Sequence, residues 1–145
     1  MPNLPPVPIA LAAGLAQRRL GTGSRPGLVR KAGAVAAAGA SLWLLSGTAR
    51  AFRRTGTTVN PLDPSRASRL VTDGPNAVSR NPMYVGMAGL LVAHGLLRGG
   101  WGTLLPAAAF VAVIDRVQVP AEEAALHDLF GQEYDAYRRR VRRWL

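Results

Sequence analysis

Charged side chains are missing from four windows of the chain, 1–17, 32–49, 81–97 and 99–114, which are 17, 18, 17 and 16 residues long. No other feature restricts the fold as strongly. A helix that crosses a bilayer needs about 17–25 consecutive, mainly apolar residues. The windows therefore predict four membrane helices, each at the short end of that range. With 145 residues the chain is one domain long. A soluble domain of this size rarely devotes so much of itself to uncharged runs. The competing reading is a soluble helical bundle with an alanine-rich core.

Whole-chain averages hide this pattern. Mean hydropathy is +0.09, which on its own suggests a soluble protein. A net charge of +10 on its own suggests a nucleic-acid partner. The basic residues, however, fall between the apolar windows, where they mark membrane sidedness. No nucleic-acid partner is expected. The chain has no cysteine, which excludes disulfides, thiolate metal sites, thiol nucleophiles and lipid attachment to cysteine.

The expected organisation is a single all-α, polytopic membrane domain over 1–145. Two N-terminal spans occupy 1–54 and a core occupies 55–145. The first span, about 4–20, opens on Pro2, Pro5, Pro6 and Pro8 and lacks the basic start of a signal peptide. In the second, about 29–52, Gly33, Ala37 and Ser41 form a stripe of small residues that permits close helix packing. Residues 53–80 are rich in Pro and Gly and read as a long, functional loop. Spans three and four form a hairpin over 82–116, turning at Arg98-Gly99-Gly100 and kinked at Pro106. A polar amphipathic helix over 120–144 follows, its arginines and Trp144 suited to a membrane surface. The hairpin puts the basic loop and the basic C-terminal segment on one side, which the positive-inside rule assigns to the cytoplasm of a bacterial-type inner membrane. The five basic residues at 18–31 would then lie on the other side if span one crosses.

Polar groups cluster on the side expected to face the cytoplasm. One is Arg80-Asn81-Pro82-Met83-Tyr84-Val85-Gly86. The others are Glu122-Glu123 and Phe130-Gly131-Gln132-Glu133-Tyr134 with Tyr137. On one continuous helix, Glu123, His127, Phe130, Tyr134 and Tyr137 would share a stripe. A carboxylate beside aromatic faces attracts a sulfonium or ammonium. Each piece also has a plain alternative. The Glu pair suits a helix N-terminus, and the aromatic stripe suits packing. His94 reads as a hydrogen-bonded packing residue.

In order along the chain come Leu70-Val71-Thr72-Asp73-Gly74-Pro75, Ser79 to Gly86, Glu122-Glu123 with Leu126, and Phe130 to Tyr134 with Tyr137, Arg140 and Val141. This series resembles the isoprenylcysteine carboxyl methyltransferase and phospholipid methyltransferase superfamily over about residues 55–145. The resemblance implies an integral-membrane enzyme using S-adenosyl-L-methionine and a lipid or other lipophilic acceptor. The cytosolic loop and C-terminal helix would form the cofactor site. It implies cofactor contacts at Val71, Gly74, Asn81, Tyr84, Gly86, Glu122, Glu123, Tyr134 and Arg140, with Arg80 and Glu123 in catalytic positions and no metal. Asn81 stands where many members carry His. It cannot titrate near neutral pH, so general-base catalysis from that position is excluded. Two rival readings keep the scaffold: an NADPH-dependent reductase of the membrane sterol type, and a non-enzymatic lipid-binding subunit. Oligomeric state and acceptor atom (O, N or S) are left open by the sequence.

Overall fold

A computed structural model describes residues 5–56 and 68–145. Within them the chain is all-helical, with no strand. Helix α1 is Pro6–Leu20, α2 Leu28–Thr55, α3 Pro82–Arg98, α4 Leu105–Val113, α5 Val119–Phe130 and α6 Gln132–Arg140. Prolines sit in the first turns of α1, α3 and α4, where the missing N–H costs least. Helix α2 stops at Gly56, whose left-handed φ of 66° lets its N–H return to Arg53 and Phe52.

Two helical stretches are long and apolar enough to cross a membrane, Leu28–Thr55 and Trp101–Phe130. That is fewer than the four expected. Helix α1 has 15 residues and α3 has 17, about 22 and 26 Å of helix at roughly 1.5 Å per residue. The uncharged windows counted loop and cap residues that do not belong to the helices.

Helix α3 is central: α2 packs along it, and α1 packs against α3 and α4. The small-residue stripe of α2 makes the α2–α3 contact. A Cβ on Gly33 would lie 3.5 Å from Leu96 Cδ1, and one on Gly86 would lie 3.2 Å from the Ser41 carbonyl oxygen. Close backbone approach is what such stripes provide. The compact core is small. Tyr84, Leu91, Ala107, Phe110, Ile114 and Val119 form one buried cluster, with Trp144 packed against it. Large apolar side chains on the outer faces, among them Leu11, Val35, Trp43 and Leu105, are exposed.

Polar bonds fasten α1. Gln17 is fully buried. Its Nε2 donates to the carbonyls of Leu91 at 2.8 Å and Thr103 at 2.7 Å. Its Oε1 lies 2.8 Å from His94 Nδ1, and because an amide oxygen only accepts, the imidazole donates. His94 is thus the hydrogen-bonded packing residue expected of it. Replacing Gln17 by Leu keeps most of the volume but strips both donors and leaves Nδ1 unmatched. The expected loss is about 1–3 kcal/mol, read as a lower thermal midpoint in detergent.

Several boundaries differ from expectation. The chain does not leave a helix at Asp115 and Arg116. A π-helical segment, Ile114–Gln118, carries α4 directly into α5. Pro120 explains the widened turn, since in a regular α-helix its ring would clash with the carbonyl four residues back. The Glu pair therefore has no free helix N-terminus to complement. Pro106 does not kink a helix; it starts α4 after the 3-10 turn Trp101–Leu104. The single helix expected over 120–144 breaks at Gly131, whose φ of 48° and ψ of −119° suit glycine. It ends at Arg140, and the chain runs on extended from Val141.

Candidate functional site

The extended tail after α6 folds back beneath the start of α3. The Arg80 N–H donates to the Arg142 carbonyl at 2.8 Å. The Ser79 hydroxyl and Asn81 Nδ2 both donate to the Arg143 carbonyl, at 3.1 and 3.0 Å. Ser79 and Asn81 are buried. Asn81, standing where the family resemblance expects His, therefore works as a clamp on the tail.

Charge converges at this junction. Arg80 Nη2 donates to Glu123 Oε1 at 2.6 Å, with both side chains nearly buried, 10% and 11% exposed. Arg80 Nη1 donates to the Val141 carbonyl at 2.7 Å. The second carboxylate oxygen of Glu123 takes Arg143 Nη2 at 2.6 Å. Arg143 also reaches Asp115 at 3.3 Å, and the Trp144 indole donates to Asp115 at 2.8 Å. Glu123 thus ties α3, α5 and the tail together through two arginines. The bond to Glu123 raises the Arg143 pKa, which holds that guanidinium in its charged form. Trp144 is bound inward rather than laid on a membrane surface.

Glu122 makes a second, neighbouring set of contacts. It accepts from the Tyr84 hydroxyl and, at 2.8 Å, from Gln118 Nε2. Tyr134 and Tyr137 are buried, their rings 6.3 Å apart, and Arg138 stands 5.9 Å over the Tyr134 ring. Burial raises the pKa of both phenols, so each stays a neutral hydrogen-bond donor. The Tyr137 hydroxyl donates to the Asn76 carbonyl at 2.6 Å, which docks the 3-10 turn Gly74–Ala77 on α6. Tyr137→Phe is expected to cost about 1–3 kcal/mol by orphaning that carbonyl, checked by thermal unfolding beside wild type.

The site residues read from sequence divide accordingly. Arg80, Asn81, Glu123 and the tail form one cluster, and Tyr84 and Glu122 form its neighbour. Val71 is buried, and Gly74 opens the 3-10 turn at φ 57°. Gly86 faces Leu45 and Ser41 of α2, which makes it a packing residue here. Arg140 is exposed and folds back on the Ala136 carbonyl at 3.4 Å. The stripe through His127 and Phe130 is not one face. His127 is exposed, 3.5 Å from Asp135. Residues that sequence reasoning passed over carry much of the cluster: Asn76, Ser79, Asp115, Gln118, Arg143 and Trp144. Asp115 offered one signal, as an acid at the end of an apolar run. Arg143 was hidden in an arginine-rich stretch whose members look alike in sequence.

Two buried donors at this end have no partner among the described residues, Asn76 Nδ2 and Arg80 Nε. Such donors are rare unless something else satisfies them. A cavity of about 380 Å³ lies beside Arg80, lined also by Asp135, Arg138 and Arg139.

The helical body exposes large apolar side chains and gathers its ion pairs at the end that holds Arg80 and Glu123. The phospholipid methyltransferase family model matches residues 29–133, and the chain belongs to that family. The match starts earlier than the resemblance seen in sequence and stops before Tyr134, so the clamped tail lies outside it. An uncharacterized protein of Haemophilus influenzae is 38% identical over 63 residues, covering 43% of this chain and all of that protein. No solved structure matches the chain.

Proposed function

We propose that the protein is an integral-membrane methyltransferase that uses S-adenosylmethionine and acts on a lipophilic acceptor entering from the bilayer. In this reading α1 to α4 all cross the membrane, with the Glu123 cluster at the cytoplasmic face. Family membership implies a methyltransferase. One observation carries the finer reading. Motif halves far apart in sequence, at 79–84 and 122–137, converge where two buried donors lack partners.

The bound cofactor supplies a methyl group already activated on a sulfonium. What remains for the chain is positioning and water exclusion. Glu122, half-buried and held by Tyr84 and Gln118, supplies a carboxyl group that pairs with a cationic group of the cofactor. Asn76 and Arg80 offer N–H donors to acceptor atoms of the ribose, base or carboxylate. Val71, Gly74 and Tyr134 shape the adjoining wall. Both oxygens of Glu123 are occupied by arginines, so Glu123 acts by fixing Arg80 and Arg143. Asn81 moves no proton and keeps the tail in place. Arg140 and Gly86 stay outside the contact set in this arrangement.

Ligand-induced stabilisation of the detergent-purified protein tests this. S-adenosylhomocysteine is expected to raise the unfolding temperature and to bind at sub-millimolar concentration by calorimetry. Stabilisation by NADPH instead would replace methyl transfer with reduction, and a response to neither would leave a lipid-binding subunit.

A further inference from the structure

Residues 18–31 fold at the opposite end from the Glu123 cluster, beside the hairpin turn. The Thr22 N–H donates to the Gly99 carbonyl at 3.4 Å, and Arg98 Nη2 donates to the Arg18 carbonyl at 3.4 Å. This end carries Arg18, Arg19, Arg25, Arg30, Lys31 and Arg98. No Asp or Glu occurs at positions 1–62 or 74–114, and the ion pairs among the described residues all lie at the other end. Among the described residues, the cations here therefore have no counter-charge from the chain. Arg18 and Arg19 complement the C-terminal dipole of α1, and Arg98 that of α3. The dipole does not account for Arg98 Nε, which is buried without a partner among the described residues.

Nor does it account for what lies beneath. A groove of about 570 Å³ runs between α1 and α3, walled by Val7, Leu11, Leu15, Met87, Leu90 and Leu91. It ends at Arg18 and His94. A second cavity of about 400 Å³ is lined by Leu15, Arg18, Arg19 and Arg98. The two share Leu15 and Arg18, so an apolar channel along the helices opens directly into a cationic cup. Only an amphiphile with an acyl tail and an anionic head complements both halves at once. Basic pockets at helix ends recognise lipid headgroups in this way.

We propose that this end binds an anionic phospholipid of the surrounding bilayer, its phosphate on Arg18, Arg19 and Arg98 and one acyl tail in the α1–α3 groove. The lipid is distinct from the methyl acceptor, because the cup is at the far end of the bundle from Glu122 and Glu123. By filling the seam between α1 and α3 it braces α1.

This rests on the membrane reading above and is tested on the full chain in a neutral detergent. Thermal unfolding is followed while dioleoylphosphatidylglycerol, dioleoylphosphatidylcholine or inorganic phosphate is added. The wild type is expected to reach half-maximal stabilisation at an at least ten-fold lower mole fraction of phosphatidylglycerol than of phosphatidylcholine. Inorganic phosphate is expected to do nothing. In R18Q/R98Q the two lipids should become equivalent, with S-adenosylhomocysteine binding unchanged. Equal responses to both lipids in the wild type would overturn the proposal, whether or not the variant folds. So would a preference that survives in R18Q/R98Q, or stabilisation by phosphate alone, which would mean a soluble-anion site. Loss of the methyltransferase reading would appear separately, as absent S-adenosylhomocysteine binding beside an intact lipid preference.

Discussion

Glu123→Ala is expected to lower stability by about 3–5 kcal/mol, because it leaves a nearly buried Arg80 without its counter-charge. In detergent that corresponds to a thermal midpoint lower by roughly 10 °C or more for a domain of this size. Cofactor binding is expected to fall at least a hundred-fold, since three segments lose their common anchor together. The isosteric Glu123→Gln should behave differently. It keeps the volume and one acceptor, so the protein should fold while S-adenosylhomocysteine binding still weakens. A double-mutant cycle with Arg80→Ala separates the pair from its surroundings. A coupling of more than about 1 kcal/mol is expected for groups in one network. Independent, additive losses would show that Glu123 does not organise Arg80.

Gly86→Val has the second large effect, and it acts away from the charged cluster. A Cβ on Gly86 would lie 2.7 Å from Leu45 Cγ and 3.2 Å from the Ser41 backbone oxygen. The side chain could move aside, but the backbone of α2 cannot do so without separating the helices. The expected cost is about 3 kcal/mol or more, the upper range for overpacking. Gly39→Ala is the matched control. It lies on the same small-residue helix with open space around its Cβ position, and it should be neutral or stabilising by up to about 1 kcal/mol. Thermal unfolding of the two variants side by side checks this. Equal midpoints would mean that α2 and α3 are not held by close backbone approach.

Helix content was legible because uncharged runs, N-terminal prolines and small-residue spacing are local signals. Prolines at 6 and 82 do mark helix starts, and Gly33, Ala37 and Ser41 do face α3. Lengths were not legible: an uncharged window includes caps and turns, so α1 came out at 15 residues. The π-helical turn at 114–118 was hidden because it depends on where Pro120 must be accommodated inside a continuous helix. In the site, Arg80, Tyr84, Glu122 and Glu123 could be picked out as motif members, but not that Arg80 bonds Glu123 and Tyr84 bonds Glu122. Arg143 and Asp115 could not, because their meeting requires the break at Gly131 and the return of the tail under α3. Arg140 and Arg143 are the same residue type three positions apart. Only the end of α6 between them sends one to solvent and the other to Glu123.

The far-end charge follows the same logic. In sequence, the basic residues at 18–31 stood apart from an assignment that gathered positive charge on one face. In the fold they meet Arg98 and an apolar groove, and sidedness alone no longer has to explain them.

Methyl transfer itself tests the central reading most directly. Membranes containing the protein are supplied with S-adenosylmethionine labelled in its methyl group, and the organic extract is analysed by mass spectrometry. The predicted result is a labelled lipophilic product with wild-type protein, strongly reduced with Glu122→Gln/Glu123→Gln at equal protein level. No label above membranes lacking the folded protein, or equal label with the double variant, would contradict it.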